Sequence, residues 1–267
     1  MFGRIGVLGS AGSSVTVASG DADALAFFTA AGITDTTQKS AVNTLVTDLK
    51  AANIWTKMKA IYPFVGGTAA QHRFNLKSPG TTNADFYLTF YGGGTHSANG
   101  YLPNGNSYAD TFLIPSTSLS QNSTHISYYS RTNTNTGIDM GASLEPADTS
   151  FLSLYVRDTN SHYSRLNNVG PEFGVTNSDG LGLHTISRTI NISYEYFKNT
   201  TKNTAVKAST GLPTRKISIG GLSVNNVWYF GNKETAFNSI GDGLTDSEAS
   251  NLYTAVQAYQ TTLGRNV

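Results

Sequence analysis

Apolar positions in this chain follow two periods: they recur at three and four residues near both ends and alternate through the middle. Ala24, Leu25, Phe27 and Phe28 predict a short apolar helix ended by Gly32. Asp35 and Gln38 have the spacing of a capping box, and Ala41, Val42, Leu45, Val46 and Leu49 then fall on one helical face. Ile54, Trp55 and Met58 continue the apolar run. At the other end, Thr235–Ile240 reads as a strand and Gly241-Asp242-Gly243 as a tight turn. Thr245 and Glu248 form a second capping box, and Ala249, Leu252, Tyr253, Val256, Tyr259 and Leu263 line one face of a helix that Gly264 stops.

Between these ends the period is two. Phe86, Leu88 and Phe90 alternate with Tyr87, Thr89 and Tyr91, and Ile126 and Tyr128 alternate with His125, Ser127 and Tyr129. The same holds for Leu152, Leu154 and Val156, and for Ile190, Ile192, Tyr194 and Tyr196; Ile217 and Ile219 make a short strand. Asn, Gly and Pro clusters at 103–105, 133–137 and 177–180 separate the strands. Many short strands with one apolar face and no helices between them predict an antiparallel β-sandwich. The organisation expected is an N-terminal arm (1–20), a helical attachment segment (21–58), and a sandwich closed by a C-terminal helix (59–267).

Composition narrows the function. Over 267 residues Lys and Arg number 18 and Asp and Glu 17, a net charge of +1 that leaves no basic surplus for a nucleic-acid backbone. Charged residues are 13%, about half the ~25% of ordinary domains, so the surface is polar but weakly charged. No cysteine is present, which removes disulfides, thiolate metal sites and Cys nucleophiles. Ile5–Leu8 is too short an apolar core for a secretory signal, and no apolar run is long enough to span a membrane.

Catalytic patterns do not emerge. His72, His96, His125, His162 and His184 show no i, i+4 pair and no His-Glu-x-x-His, and there is no Gly-x-Ser-x-Gly elbow or phosphate loop. Glu195 is a lone strand carboxylate and Glu145 and Asp148 flank a loop Pro, where a glycoside hydrolase needs two carboxylates across the sugar. The expectation is no enzyme and no cofactor. Calcium stays possible through the scattered Asp85, Asp110, Asp139, Asp158 and Asp242. Tyr91, His96, Tyr101, Asn104 and Tyr108 lie in a Gly/Asn/Ser-rich stretch suited to stacking a sugar ring, or to ordinary loop packing. Phe27, Phe28 and Trp55 suit either a core or an attachment face.

Three segments resemble laminin-G-like, concanavalin-A-type sandwiches: Ile192-Ser-Tyr-Glu-Tyr-Phe-Lys-Asn199, Arg215-Lys-Ile-Ser-Ile-Gly220, and Leu244-Thr-Asp-Ser-Glu248 followed by Leu252-Tyr253. Residues 21–33, 54–64, 239–246 and 260–265 resemble a group of tailed-phage structural proteins. That second resemblance implies a virion fibre, capsid-decoration or host-contacting protein. Its partners would be other virion proteins, further copies of itself and a host surface glycan. The alternative is a carbohydrate-binding module; a glycoside hydrolase is third.

Overall fold

A computed structural model describes residues 20–144 and 150–267. The expected N-terminal arm, apart from Gly20, and the carboxylates of Glu145 and Asp148 lie outside the described residues.

Two helices open the described chain: α1 (Ala22–Ala31) and α2 (Thr36–Ala51). Asp21 caps α1 by accepting from the Asp23 N–H, and Gly32 ends it in the left-handed region at φ 64°. Asp35 caps α2 by accepting from the Gln38 N–H at 2.8 Å. The return half of that box is not made. Gln38 instead accepts from the Gly66 N–H at 2.9 Å and ties α2 to the following loop.

The strands follow in chain order: β1 (Met58–Tyr62), β2 (Thr89–Tyr91), β3 (Thr95–Ser97), β4 (Gly100–Leu102), β5 (Tyr108–Asp110), β6 (Thr124–Ser130), β7 (Met140–Ser143), β8 (Phe151–Asp158) and β9 (Ser161–Asn168). Then come β10 (Phe173–Thr176), β11 (Gly182–Arg188), β12 (Tyr194–Lys198), β13 (Thr201–Ala205), β14 (Ser218–Ile219), β15 (Gly221–Val224), β16 (Val227–Phe230) and β17 (Thr235–Gly241). The C-terminal helix is Asp246–Thr262. One antiparallel sheet runs β13-β12-β11-β6-β17-β4-β3, with β1 also paired to β17; a second runs β10-β9-β8-β7-β14-β5-β2; β15 and β16 form a separate hairpin.

The sheets pack face to face over Ile126, Tyr128, Ile186 and Ile240 from the first and Met140, Leu152, Leu154 and Leu166 from the second. The helices cover the other face of the first sheet, where Tyr129, Leu183, Phe197 and Phe237 meet Phe27, Val42, Leu45, Leu252 and Val256. The layers are therefore helices, sheet, sheet. The helical segment shares a core with the sandwich, so position 58 marks a change of element within one packed body. Phe27, Phe28 and Trp55 are 1%, 7% and 7% exposed and pack within their own chain, which corrects their reading as an attachment face.

The middle layer changes the alternation argument. Strands β6, β11 and β17 are buried along their whole length, so their polar residues must bond internally. Ser127 and Ser239 share a 2.6 Å hydroxyl contact, and His125 reaches Ser239 at 3.0 Å and the Asp242 carbonyl at 2.6 Å.

Two predicted strands shorten. Phe86 sits at φ 56° after a 3-10 turn, and pairing begins only at Thr89. Ile190 and Ile192 are 49% and 60% exposed in the link between β11 and β12. The cause is Arg188, a fully buried guanidinium that donates to the carbonyls of Ile190, Asn191 and Ser193 and to those of Leu166 and Lys207. A buried cation must find acceptors; these bonds hold the segment in a turn and push both Ile side chains outward.

The C-terminal helix follows expectation. The Thr245 side chain accepts from the Glu248 N–H, and Glu248 accepts from the Thr245 N–H at 2.8 Å. Glu248 also holds Lys57 at 2.6 Å, joining the cap to the start of β1.

Candidate functional site

The outer face of the second sheet carries the most built cavity. Strands β2 and β5 pair with Tyr91 opposite Tyr108, so both rings stand on the solvent side while Phe90 and Ala109 face the core. Strand β14 pairs next, with Ser218 opposite Asp110. The chain then turns at Gly220, at φ 86°, into the β15–β16 hairpin. Asn225 and Asn226 close the hairpin with φ 48° and 64°, the two left-handed residues of a type I′ turn.

The hairpin lies across the outer face over β7. Ser143 donates to the Ser223 carbonyl at 2.8 Å. Gly141 allows this approach, since a Cβ there would stand 2.7 Å from the Leu152 carbonyl and 3.3 Å from Leu222. Trp228 is thereby laid on Tyr108 with ring centroids 3.9 Å apart and planes 24° from parallel. Tyr91 stacks on Tyr108 at 5.0 Å, and Phe230 runs parallel to Trp228 at 5.7 Å.

Beside this aromatic run is a hollow of about 350 Å³ lined by Tyr108, Asp110, Arg215, Lys216, Ser218 and Trp228, among others. Asp110 accepts from the Phe112 N–H at 2.7 Å and from Lys216 at 2.9 Å. Lys216 also lies 4.1 Å from the centre of the Phe112 ring. Arg215 donates to Ser223 at 2.9 Å and Asn226 at 2.7 Å, fastening the hairpin along the rim. Burial, then the nearby Tyr91 and Asp110, raises the Tyr108 phenol above its usual range, so it stays a neutral donor at neutral pH. The hollow thus brings two stacked aromatic residues together with charged and hydroxyl groups. It fits a flat ligand with one apolar face and a rim of hydroxyls. A larger hollow, about 570 Å³, lies between α1 and α2 beside Leu25, Phe28 and Ile33. Its rim also carries Thr29, Thr34, Lys39, Ser40 and Asn43, but Phe28 is the one aromatic side chain among its described lining residues, so it offers no stacked aromatic pair.

The sequence candidates divide. Tyr91 and Tyr108 belong to the aromatic run, and Tyr91 is 44% exposed. Asn104 stands at the neighbouring turn, donating to the Gly92 carbonyl at 3.0 Å and shaping the loop next to Tyr91. Tyr101 has no exposed surface and packs between the sheets, a correction to its reading as a sugar contact. His96 is half-buried against Tyr101, Phe90 and His72, its Nδ1 3.0 Å from that of His72. One proton serves that contact; burial foremost holds His72 down to about 3 and also lowers His96. Glu195 accepts from its cross-strand neighbour Thr204 at 2.7 Å, far from the hollow in the sheet order. Among the described residues, no three of His, Cys, Asp and Glu gather as a metal site requires. No described helix is long and apolar enough to cross a membrane.

Sequence reasoning missed Trp228, Arg215 and Lys216. A signal was present: Val224-Asn-Asn-Val227 followed by Trp-Tyr-Phe is a two-residue hairpin turn leading into an aromatic strand.

No protein-family model matches this chain, and no curated protein matches it. Among solved structures it is similar to a mutant Trypanosoma rangeli sialidase displaying trans-sialidase activity. Identity is 11% and the TM-score 0.53, over 82% of this chain and 39% of that one. It is also similar to Trypanosoma rangeli sialidase in complex with the inhibitor DANA, at 11% identity and TM-score 0.50, over 73% of this chain and 32% of that one. Domain 4 of AbnA, an extracellular arabinanase from Geobacillus stearothermophilus solved with arabinotriose, matches at 13% identity and TM-score 0.46, over 73% of this chain and 98% of that one. The chain spans about two fifths or less of the length of the sialidases it matches. At such identity the likeness to them establishes fold alone: this chain is an antiparallel β-sandwich of two large sheets with N-terminal and C-terminal helices.

Proposed function

We propose that this protein is a non-catalytic carbohydrate-binding module whose ligand lies in the hollow beside Tyr108 and Trp228. The observation that carries the reading is the Tyr108–Trp228 stack walling a cavity that also holds Asp110, Lys216 and Arg215. A pyranose has a C–H face that packs on an aromatic ring and equatorial hydroxyls that need fixed donors and acceptors, and both are present. Among the described residues that line the hollow, Asp110 is the one carboxylate, and it is tied to Lys216. Glycoside hydrolysis calls for a second carboxylate roughly 5–10 Å away. The sandwich fold shared with sialidases adds support at the level of analogy, since folds host many functions. A glycan array probed with the full chain, followed by calorimetry on the best ligand, tests the reading. Retention of no glycan, or equal retention by Trp228→Ala, would refute it.

The tailed-phage resemblance supplies the setting we propose for this module: a virion component that presents the hollow to a host surface. Mass spectrometry of purified particles, with copy number, tests that setting. Absence of the chain from particles of a phage that encodes it would remove the virion reading and leave the sugar site standing.

A further inference from the structure

Asp139 and Lys233 meet in the interior with no solvent at either side chain, Nζ lying 3.3 Å from Oδ2. Asp139 directly precedes β7, and Lys233 lies in the link from the β15–β16 hairpin to β17, so the pair bridges the two sheets. Each partner is held from outside the pair. Lys233 donates to the Thr136 carbonyl at 2.7 Å, and Oδ2 accepts from the Val156 N–H at 2.8 Å. Oδ1 has no hydrogen-bond partner. It faces Gly231, where a Cβ would stand 2.9 Å away. A dry ion pair is a weak stabiliser, because desolvation offsets the attraction. The ion pairs Lys57–Glu248 and Lys216–Asp110 differ in keeping exposed atoms that water can stabilise.

We propose that Asp139 and Lys233 are a covalent cross-linking site, at which the lysine amine condenses with the aspartate carboxyl to form an isopeptide bond. The ammonium first passes a proton across the 3.3 Å contact to Oδ2, giving an amine and a carboxylic acid. Burial, the largest influence, lifts the Asp139 carboxyl to about 6 despite the nearby Lys233. The Nζ lone pair attacks Cγ and the Nζ–Cγ bond forms. Negative charge gathers on Oδ1, while the Val156 N–H holds the Oδ2 hydroxyl in place. A second proton moves from Nζ to Oδ2, the Cγ–Oδ2 bond breaks, and water leaves. Ammonium and carboxylate become amide and water, so no further reagent is consumed. The remaining amide N–H keeps the Thr136 carbonyl as its acceptor. The bond would lock sheet to sheet at the base of the hairpin that carries Trp228, in a chain without a cysteine to do so. This inference stands independently of the sugar site.

Intact-mass spectrometry of the folded, purified full chain tests it. The expected mass is one water below that of the sequence, with a branched peptide joining Asp139 to Lys233 after proteolysis. Lys233→Arg should return the full mass. Asp139→Asn should lose ammonia in place of water, because the same attack on Cγ expels the amide nitrogen. Full mass in the wild-type chain would overturn the proposal. So would a lost water that persists in Lys233→Arg or maps to Asp179-Gly180 or Asp242-Gly243, where succinimide formation also releases water. If Lys233→Arg fails to fold, presence or absence of the branched peptide in the wild-type chain decides.

Discussion

Tyr108 and Trp228 stack with ring centroids 3.9 Å apart, although one belongs to a strand of the second sheet and the other to a hairpin laid across it. The contact forms one wall of the hollow and fixes the hairpin's position over β14 and β5. Trp228 is only half-buried, so its removal should weaken ligand binding more than folding. A central aromatic contact is worth on the order of 2 kcal/mol. Trp228→Ala should therefore raise Kd by roughly thirtyfold, read by calorimetry, with an unchanged far-UV spectrum. Unaltered affinity would move the ligand elsewhere.

The C-terminal helix should respond to its cap and its apolar stripe by different amounts. Thr245→Ala removes one hydroxyl acceptor and should cost ~1 kcal/mol. Leu252 is fully enclosed between the helices and the first sheet, so Leu252→Ala should cost ~2–5 kcal/mol. Denaturant melts of the two variants check the ranking; equal midpoints would mean that the stripe is not core.

The helical segment should not melt apart from the sandwich. Leu45 on α2 has no exposed surface and shares a cluster with Phe237 of β17 and Val256 of the C-terminal helix. Leu45→Ala should shift one cooperative transition by ~2–5 kcal/mol. Two separated transitions in calorimetry would show that α1 and α2 form their own unit.

Acidification should destabilise the fold. Burial foremost holds His125 down to about 4 and His72 and His184 to about 3. A base whose folded pKa lies below its unfolded value of ~6.5 contributes stability at neutral pH. That contribution is lost as pH falls below ~6.5, and the loss levels off only at the folded values. Asp139, where it is not cross-linked, acts oppositely. With its folded pKa lifted to about 6, its contribution is present below ~3.9 and lost as pH rises through about 6. Three such histidines outweigh one carboxyl, so the urea midpoint should drop steadily between about pH 6.5 and 4. His125→Gln should flatten part of that slope. A midpoint that holds or rises over this range would contradict the assignment.

Period and caps made both ends of the chain legible from sequence. Leu252 and Val256, or Leu45 and Leu49, lie one turn apart and need only local geometry to share a face, and Thr245 meets Glu248 through a single turn of backbone. The alternation of Leu152, Leu154 and Val156 likewise sets one face of β8, because successive side chains in a strand point to opposite sides. Tertiary structure alone decided how many faces are covered: Ser127 and His125 read as solvent positions until the helices close over the first sheet. It also decided that Arg188 would bend 190–193 out of the strand, since that depends on carbonyls gathered from several segments. The hollow belongs to the same class. Tyr91 and Tyr108 could be suspected from sequence, but Trp228 reaches them through a hairpin folding back across β7 and Lys216 reaches Asp110 across paired strands. Asp139 and Lys233 meet only when two sheets stack. Local periodicity carries no record of contacts between residues far apart in the chain, so the fold class is written along the sequence while the site exists only in the packed structure.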